Sequence, residues 1–298
     1  MNSLRPWLEA GRPVEALLAP LGVAVGSSYA HFDAQPGPGL PAHLIVTLAA
    51  FAAGLGVNLI DDGWDGIGRP PPGAGTVLSD ADWPIASRDA FIAGGVAIAV
   101  AAALGLGLVP LSGSATLGYG LIAVVLGVLR RAPFAGLDTL GWGLGELATV
   151  LALGPLAALA GFASQAGTGS SGAFIAGLPA GVIAAAVLFA RHFTKRDTDS
   201  RLARMTPVAT LGEDQARLVL VALPAIAAAA VVIAARAGEY GPWAHVAAFP
   251  LVLASFAGWR LPVEPTPADY ARWGRLALAS AFAALAAIVA ALRIASPD

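Results

Sequence analysis

The sequence of 298 residues has no cysteine, only one lysine, and few charged residues of either sign. Without cysteine the chain has no disulfide, no thiolate nucleophile and no cysteine-ligated metal. Charged residues make up 12%, against roughly 25% in soluble domains, which is too few to cover a soluble enzyme of this size. Hydrophobic residues make up 57%, which excludes a disordered chain. The formal charge of −2 argues against a general nucleic-acid binder.

What the sequence does contain is a series of long apolar runs, each near the ~20 residues that a transmembrane helix needs. They predict an all-α, polytopic membrane protein with about nine transmembrane helices in a single domain over 1–298. Alanine and glycine are frequent in these runs, and small residues let membrane helices approach closely. The predicted spans are 14–31, 41–61, 90–110, 113–130, 141–163, 173–193, 215–236, 243–259 and 272–293.

The basic residues predict the orientation of these spans. With the N-terminus in the cytoplasm, 15 of the 17 lysines and arginines lie on the cytoplasmic side, and only Arg236 and Arg293 lie outside. Such a positive-inside bias is typical of multi-pass membrane proteins. We therefore expect a protein integral to the cell (inner) membrane, with its C-terminus outside.

Two polar segments are expected in long cytoplasmic loops, at about 61–89 and 191–214. The first begins with Asn58, Asp61, Asp62 and Asp65. If the second helix continues, Asn58 and Asp62 lie one turn apart on one face, as do Asp61 and Asp65. Clustered acids at a membrane boundary are costly unless a cation offsets them, and Mg²⁺ prefers carboxylate oxygens together with phosphate oxygens. The alternative is a solvated loop of helix-ending acids, because both Asp-Gly pairs are ordinary turn signals.

The second polar segment mixes acidic and basic residues. Arginine binds phosphate oxygens through two parallel hydrogen bonds and is always charged, so acids beside arginines suit a metal–diphosphate complex. The alternative is that cytoplasmic loops collect arginine for topological reasons alone. The charged residues of this segment begin at Arg191 and include Lys195, Arg196, Asp197, Asp199, Arg201 and Arg204.

Two further residues are unusual for their position in predicted spans. Glu146 lies just inside the fifth span, and an intramembrane acid is a functional candidate by default. The alternative is a structural ion pair with a nearby arginine. His192 ends the sixth span, and we expect it to be structural or to face a substrate rather than to bind a metal.

The order of these features resembles the UbiA superfamily of intramembrane aromatic prenyltransferases, and within it the dihydroxynaphthoate branch of the menaquinone pathway. The stretch GVNLIDDGWD is similar to the first motif, N-x-x-x-D, through Asn58 and Asp62. RHFTKRDTDSRLARMTPVATLG resembles the second motif, and the stretch around GLGELATVLALGP resembles the start of the fifth helix. The chain departs from the family at Leu59, where a second acid usually follows the Asn. It departs again at Lys195, which takes the first Asp position of the second motif.

The resemblance implies a nine-helix UbiA-like bundle and a Mg²⁺-dependent reaction at the membrane surface. The expected activity is transfer of a polyprenyl group from a polyprenyl diphosphate to a small aromatic, dihydroxynaphthoate-like acceptor, within the lipid bilayer and without any nucleic acid. It also implies roles for individual residues: catalysis by Asn58, Asp61, Asp62 and Asp65; metal binding by Asp62, Asp65, Asp197 and Asp199; diphosphate binding by Arg69, Lys195, Arg196 and Arg204; and acceptor positioning by Glu146 and His192.

Three other functions stay open at this point. A CDP-alcohol phosphotransferase also uses an Asp-rich motif, but Arg69 is one residue early for it and the second polar segment has no role. A transporter would place polar sites near the midplane, whereas the polar residues here collect at one face. A degenerate lipid-binding relative without catalysis is the third alternative, because of the departures at Leu59 and Lys195.

Overall fold

The structure is a computed structural model that describes residues 4–35, 37–67, 85–132, 136–141, 143–196, 199, 204–262 and 265–295. Throughout these residues the secondary structure is helical and contains no strand, which confirms the predicted all-α class. A π-helical turn at Ala152–Leu156 interrupts one long helix where Pro155 removes a backbone donor. We number the helices α1 Leu4–Gly11, α2 Pro13–Ala16, α3 Leu18–Phe32, α4 Leu40–Ile67, α5 Ser87–Ser112, α6 Ala115–Arg130, α7 Leu137–Leu140, α8 Leu144–Ala166, α9 Ser171–Thr194, α10 Pro207–Leu211, α11 Glu213–Arg236, α12 Ala248–Trp259 and α13 Pro267–Ile294.

Each of the predicted spans coincides with a helix in the described part of the chain. Six helices, α4, α5, α8, α9, α11 and α13, are long and apolar enough to cross a membrane. The spans predicted at 14–31, 113–130 and 243–259 correspond to shorter helices, α3, α6 and α12 with its preceding 3₁₀ turn. That these three also cross the membrane stays a prediction.

The main difference from the sequence prediction concerns the end of the second span. Helix α4 continues to Ile67 instead of ending near residue 61. The cluster from Asn58 to Asp65 is therefore helical. The pairs Asp62-Gly63 and Asp65-Gly66 do not end the helix, and Asp65 has a cationic partner from another segment of the chain.

Helices α8 and α9 form the centre of the bundle. In each, 72% of the most apolar stretch is buried, against 17% in α4 and α5. Helix α3 crosses α8 closely, because glycine on each helix removes the side chain at the contact. A Cβ atom added at Gly26 would collide with the backbone of Ala158, and one added at Gly161 would collide with the backbone of Val23. This contact positions the N-terminal helices against the core.

The contact of α3 with α8 yields a stability prediction. The added methyl group of Gly26→Ala forces the backbones of α3 and α8 apart. Because overpacking of this kind costs about 1–3 kcal/mol of stability, we expect a lower melting temperature for this variant in lipid nanodiscs. Gly95→Ala on α5 is the matched control, because a Cβ there meets nothing within 4 Å. An equal effect of both substitutions on thermal unfolding would show that the close approach of α3 and α8 is unimportant.

Candidate active site

An apolar groove runs between α3, α4, α5, α6 and α8, and the space along it, open solvent at its mouth included, is about 1290 Å³. Alanine and glycine provide much of its wall, for example Ala49, Ala53 and Gly54 on α4. Because these side chains are small, the helices leave space between them that larger residues would fill. Along α4 the wall extends from Asn58 to Val46, about 18 Å at the helical rise per residue.

The groove is polar at one end only. Glu15, Asn58, Arg130 and Thr149 line that end, and Thr116 is the one other polar residue in the described lining. At the opposite end the wall includes Val23, Val46, Leu108 and Ala157, which belong to one buried apolar cluster. The groove is thus an apolar channel with a charged mouth.

Asn58 joins the N-terminal helices to the mouth of the groove. Its side-chain amide donates to the carbonyl of Gly11 at 3.0 Å, and its Oδ1 accepts from Arg12 Nη2 at 3.2 Å. Arg12 lies between α1 and α2 in the left-handed conformation (φ 46°), which is unusual for a residue other than glycine. Both polar atoms of the Asn58 amide are occupied, so this residue orients the N-terminal segment.

Asp61 lies one turn beyond Asn58 and is fully buried. Its Oδ2 accepts from Arg130 Nη2 at 2.9 Å and lies 3.8 Å from Arg12 Nη2. Arg130 also donates to Thr149 Oγ1 at 3.2 Å, which links the ends of α4, α6 and α8. The other oxygen of Asp61, Oδ1, is buried without a hydrogen-bond partner among the described residues.

Asp65 is shared by cations from the second polar segment. Lys195 Nζ donates to its Oδ2 at 2.7 Å, and Arg204 Nη1 donates to its Oδ1. Arg131 Nη1 lies 3.9 Å from Oδ2. Both oxygens of this carboxylate are therefore engaged by cations that come from distant parts of the chain.

Asp199 belongs to the same ion cluster. Its Oδ1 accepts from Arg131 at 2.9 Å and from Arg204 at 3.2 Å, and its Oδ2 lies 3.5 Å from His192 Nδ1. Burial opposes ionisation, but the His192 hydrogen bond and the two arginines outweigh it and lower the pKa of Asp199 to about 2. Burial likewise opposes ionisation of Arg131, yet Asp65 and Asp199 outweigh it and raise its pKa above the ordinary value.

Lys195 is the most accessible cation of this cluster. Its side chain is 25% exposed, whereas those of Arg131 and Arg204 are each 4% exposed. Burial lowers the pKa of the Lys195 ammonium to about 8, and nearby arginines add to this effect while Asp65 opposes it. The group is still mostly protonated at neutral pH and contributes a positive charge.

Glu146 and His192 form a pair beside this cluster. His192 Nε2 lies 2.9 Å from Glu146 Oε1, while its Nδ1 faces Asp199. The ion-pair partner of Glu146 is thus a histidine. The sequence had suggested, as an alternative to a functional role, that Glu146 pairs with an arginine. The two residues predicted to position an acceptor are in contact and lie at the start of α8 and the end of α9.

Asp62 differs from its acidic neighbours. The side chain is only partly buried, and within the described ranges it makes no ion pair at 4 Å or less. It lies on the same face of α4 as Asn58, one turn away. Asp62 and Asp61 Oδ1 are consequently the carboxylate oxygens of α4 with capacity for a further ligand, and Asp138 Oδ2, which faces Arg131 at 3.6 Å, is a further buried oxygen without a hydrogen bond in the described residues.

The structure brings together most of the residues singled out in the sequence. The exception is Arg196, which is 50% exposed and pairs with Glu213 at 3.1 Å. Arg69 and Asp197 lie outside the described residues. The residues of the cluster that the sequence did not single out are Arg12, Glu15, Arg130, Arg131, Asp138 and Thr149.

The two arginines among these additional residues were noticed in the sequence, but for their effect on membrane orientation. Arg130 and Arg131 end a predicted span and count toward the positive-inside bias, so nothing in the sequence alone distinguished them as partners of buried acids. Asp138 is buried, with Oδ2 at 3.6 Å from Arg131 Nε, and burial raises the pKa of its carboxyl. An isolated acid beside a pair of arginines was the only sequence signal for it.

Comparison with solved structures identifies the fold. No protein-family model matches the sequence, and no curated protein matches it either. A UbiA homologue from Archaeoglobus fulgidus, bound to GPP and Mg²⁺, is similar over 95% of this chain and 99% of its own, with 17% identity and a TM-score of 0.62. A UbiA homologue from Aeropyrum pernix K1 covers 92% of this chain and 97% of its own, with 15% identity and a TM-score of 0.64.

A digeranylgeranylglyceryl phosphate synthase is similar over the whole length of both chains. The match covers 99% of this chain and 100% of the synthase, with 15% identity and a TM-score of 0.61. At such low identity the comparison establishes the fold and not the activity. The chain has the helical membrane-bundle fold of these UbiA homologues.

Proposed function

We propose that this protein is a UbiA-type prenyltransferase, which transfers a polyprenyl group from a polyprenyl diphosphate to an acceptor at the membrane surface. It would belong to the transferases of alkyl or aryl groups other than methyl. The observation that carries the proposal is the apolar groove that ends at a charged mouth. Asn58 and Arg130 line the groove and also contact Arg12 and Asp61 of the charged cluster. A prenyl diphosphate has the same division, with an apolar tail and a highly charged head.

The residues present suit Mg²⁺. Mg²⁺ in proteins usually keeps several waters and takes one or two carboxylates together with substrate phosphates. Asp61 offers a buried, unpartnered oxygen, and Asp62 offers a carboxylate with no ion pair in the described part of the chain. No group of three acids or histidines among the described residues is arranged to hold a metal alone.

We assign the chemical roles from these contacts. Bound Mg²⁺ would supply Lewis-acid stabilisation of the leaving diphosphate. Lys195 adds positive charge on the other side of the diphosphate, which favours cleavage of the C–O bond because negative charge develops on the leaving group. Arg204 neutralises the buried Asp65. The groove holds the resulting allylic cation away from water, and an electron-rich acceptor attacks it and loses a proton or CO₂.

The acceptor is proposed from the sequence resemblance and from one polar pair beside the charged cluster. The sequence resemblance favours a dihydroxynaphthoate-like ring, and with it a role in menaquinone biosynthesis. Glu146 and His192 are in contact beside the charged cluster, and we assign them to positioning the acceptor and holding its proton. The positive-inside pattern supports placing the charged mouth on the cytoplasmic side of the cell membrane, with the C-terminus outside.

One observation favours a second candidate, a protein that binds a prenyl diphosphate without cleaving it. Asp65 and Asp199, both predicted metal ligands, are held by cations. They would have to release these partners to bind Mg²⁺. Metal-dependent release of diphosphate distinguishes an enzyme from such a binder. A transporter is disfavoured because the described charges of the site lie at one end of the bundle and not at its middle.

The first prediction concerns Asp62. Replacing this carboxylate by an amide in Asp62→Asn removes the accessible metal ligand, so we expect prenyl transfer to fall by about 100-fold or more. The assay uses purified protein in nanodiscs with labelled geranylgeranyl or farnesyl diphosphate, with Mg²⁺ and with EDTA. The acceptor panel contains aromatic rings and, because one structural neighbour is a digeranylgeranylglyceryl phosphate synthase, a prenylated glyceryl phosphate.

The control for this prediction is Asp89→Asn, since Asp89 is an exposed acid in the first turn of α5. It should leave both transfer and thermal stability unchanged. Full activity of the Asp62→Asn protein, or activity that survives EDTA in the unmodified protein, would remove the role proposed for Asp62.

The second prediction concerns the groove. Ala50 lines it two turns before Asn58, about 12 Å along α4. The phenylalanine of Ala50→Phe fills the groove at that depth, so we expect activity with geranylgeranyl diphosphate to be lost and activity with dimethylallyl diphosphate to be kept. Leu48→Phe is the control, because Leu48 is 57% exposed and lies outside the groove. Equal losses with long and short donors would show that the prenyl chain lies elsewhere.

A further inference from the structure

The acids of the site fall into two groups that differ in their partners. On one side, Asp65 and Asp199 have their oxygens engaged by Lys195, Arg131 and Arg204. On the other side, Asp61 Oδ1 is buried and unpartnered in the described part of the structure. Asp61 pairs with Arg130 through its other oxygen only, and Asp62 makes no ion pair in the described part of the structure. The sequence places metal ligands in both acidic segments, but of these two groups only the second has oxygens that no cation faces. Asp138 Oδ2 also lacks a hydrogen bond in the described residues, yet it faces the Arg131 guanidinium at 3.6 Å and so belongs with the cation-held side.

The cations around Asp65 also differ from one another. Arg131 and Arg204 are almost fully buried, while Lys195 is partly exposed. Lysine carries a compact charge on a flexible stem, so Lys195 can turn from Asp65 toward a bound anion. When it does so, Arg204 stays on Asp65 and keeps that buried carboxylate neutralised.

From this division we infer that the site holds one Mg²⁺, on the side of Asp61 and Asp62, and that the Lys195 ammonium binds the other side of the diphosphate directly. The inference rests on the proposed function and deepens it. An aspartate together with a bound Mg²⁺ carries a net charge of +1. A lysine at the same position carries the same net charge without a metal ion. Lysine is also a common phosphate ligand that acts as a point charge.

The test measures binding, so that it does not depend on turnover. The protein in nanodiscs is titrated with geranyl S-thiolodiphosphate by calorimetry, in EDTA and in Mg²⁺. Bound Mn²⁺ is counted by electron paramagnetic resonance in the same complex. Lys195→Ala removes the ammonium, Lys195→Arg retains the charge, and Arg272→Ala is a control at an arginine that is 74% exposed.

We expect one Mn²⁺ per chain and measurable binding in EDTA. Lys195→Ala should weaken binding in EDTA about tenfold or more, as loss of a charged hydrogen bond does. Lys195→Arg should stay close to the unmodified protein, and Arg272→Ala should match it. The Mn²⁺ count and the Lys195→Arg result stand even if Lys195→Ala does not fold.

Two Mn²⁺ per chain would overturn the inference, and so would binding in EDTA that Lys195→Ala leaves unchanged. Absence of binding in EDTA by the unmodified protein would also overturn it. Each of these results is compatible with prenyl transfer. Failure to bind the analogue even with Mg²⁺ is a different result, because it would remove the proposed function itself.

Discussion

The charged site depends on one buried ion cluster, in which Asp65 is shared between Lys195 and Arg204. Removing one partner of a buried ion pair commonly costs about 3–5 kcal/mol, because the remaining charge is left uncompensated. The cluster connects the end of α4 to the segment after α9, and Arg131 and Asp199 extend it to the end of α6. Three helix ends are thereby fixed relative to one another, and the groove beside them acquires a defined mouth.

The separation of charge from apolar surface gives the molecule its chemical character. The groove wall is built from alanine, glycine and aliphatic side chains, and its polar lining is confined almost entirely to one end. Asn58 and Arg130 belong to both regions, so the tail and the head of one amphipathic molecule can be bound at once. A reactive carbon placed at that boundary lies between the fixed charges and the dry interior.

Sequence reasoning predicted the helical membrane fold and the position of most helices, because an apolar run of about 20 residues in a chain with few charges is typical of a transmembrane helix. It also predicted that Asn58 and Asp62 lie one turn apart on α4, as do Asp61 and Asp65. It could not predict the partners of those acids, since Lys195 and Arg204 are separated from Asp65 by 130 and 139 positions. Arg130 and its neighbour were explained by topology, so their pairing with buried acids was visible only once α4 and α6 were packed together.

The same sequence separation has a consequence for biogenesis. During synthesis the acids of α4 leave the ribosome well before Lys195 and Arg204 do, since chains are made from the N-terminus. Until then these carboxylates have to stay in water, because an unpaired charge inside the bilayer is costly. Their place at the last turns of α4 meets this requirement. The site is therefore completed late, when Arg204 arrives and closes the cluster.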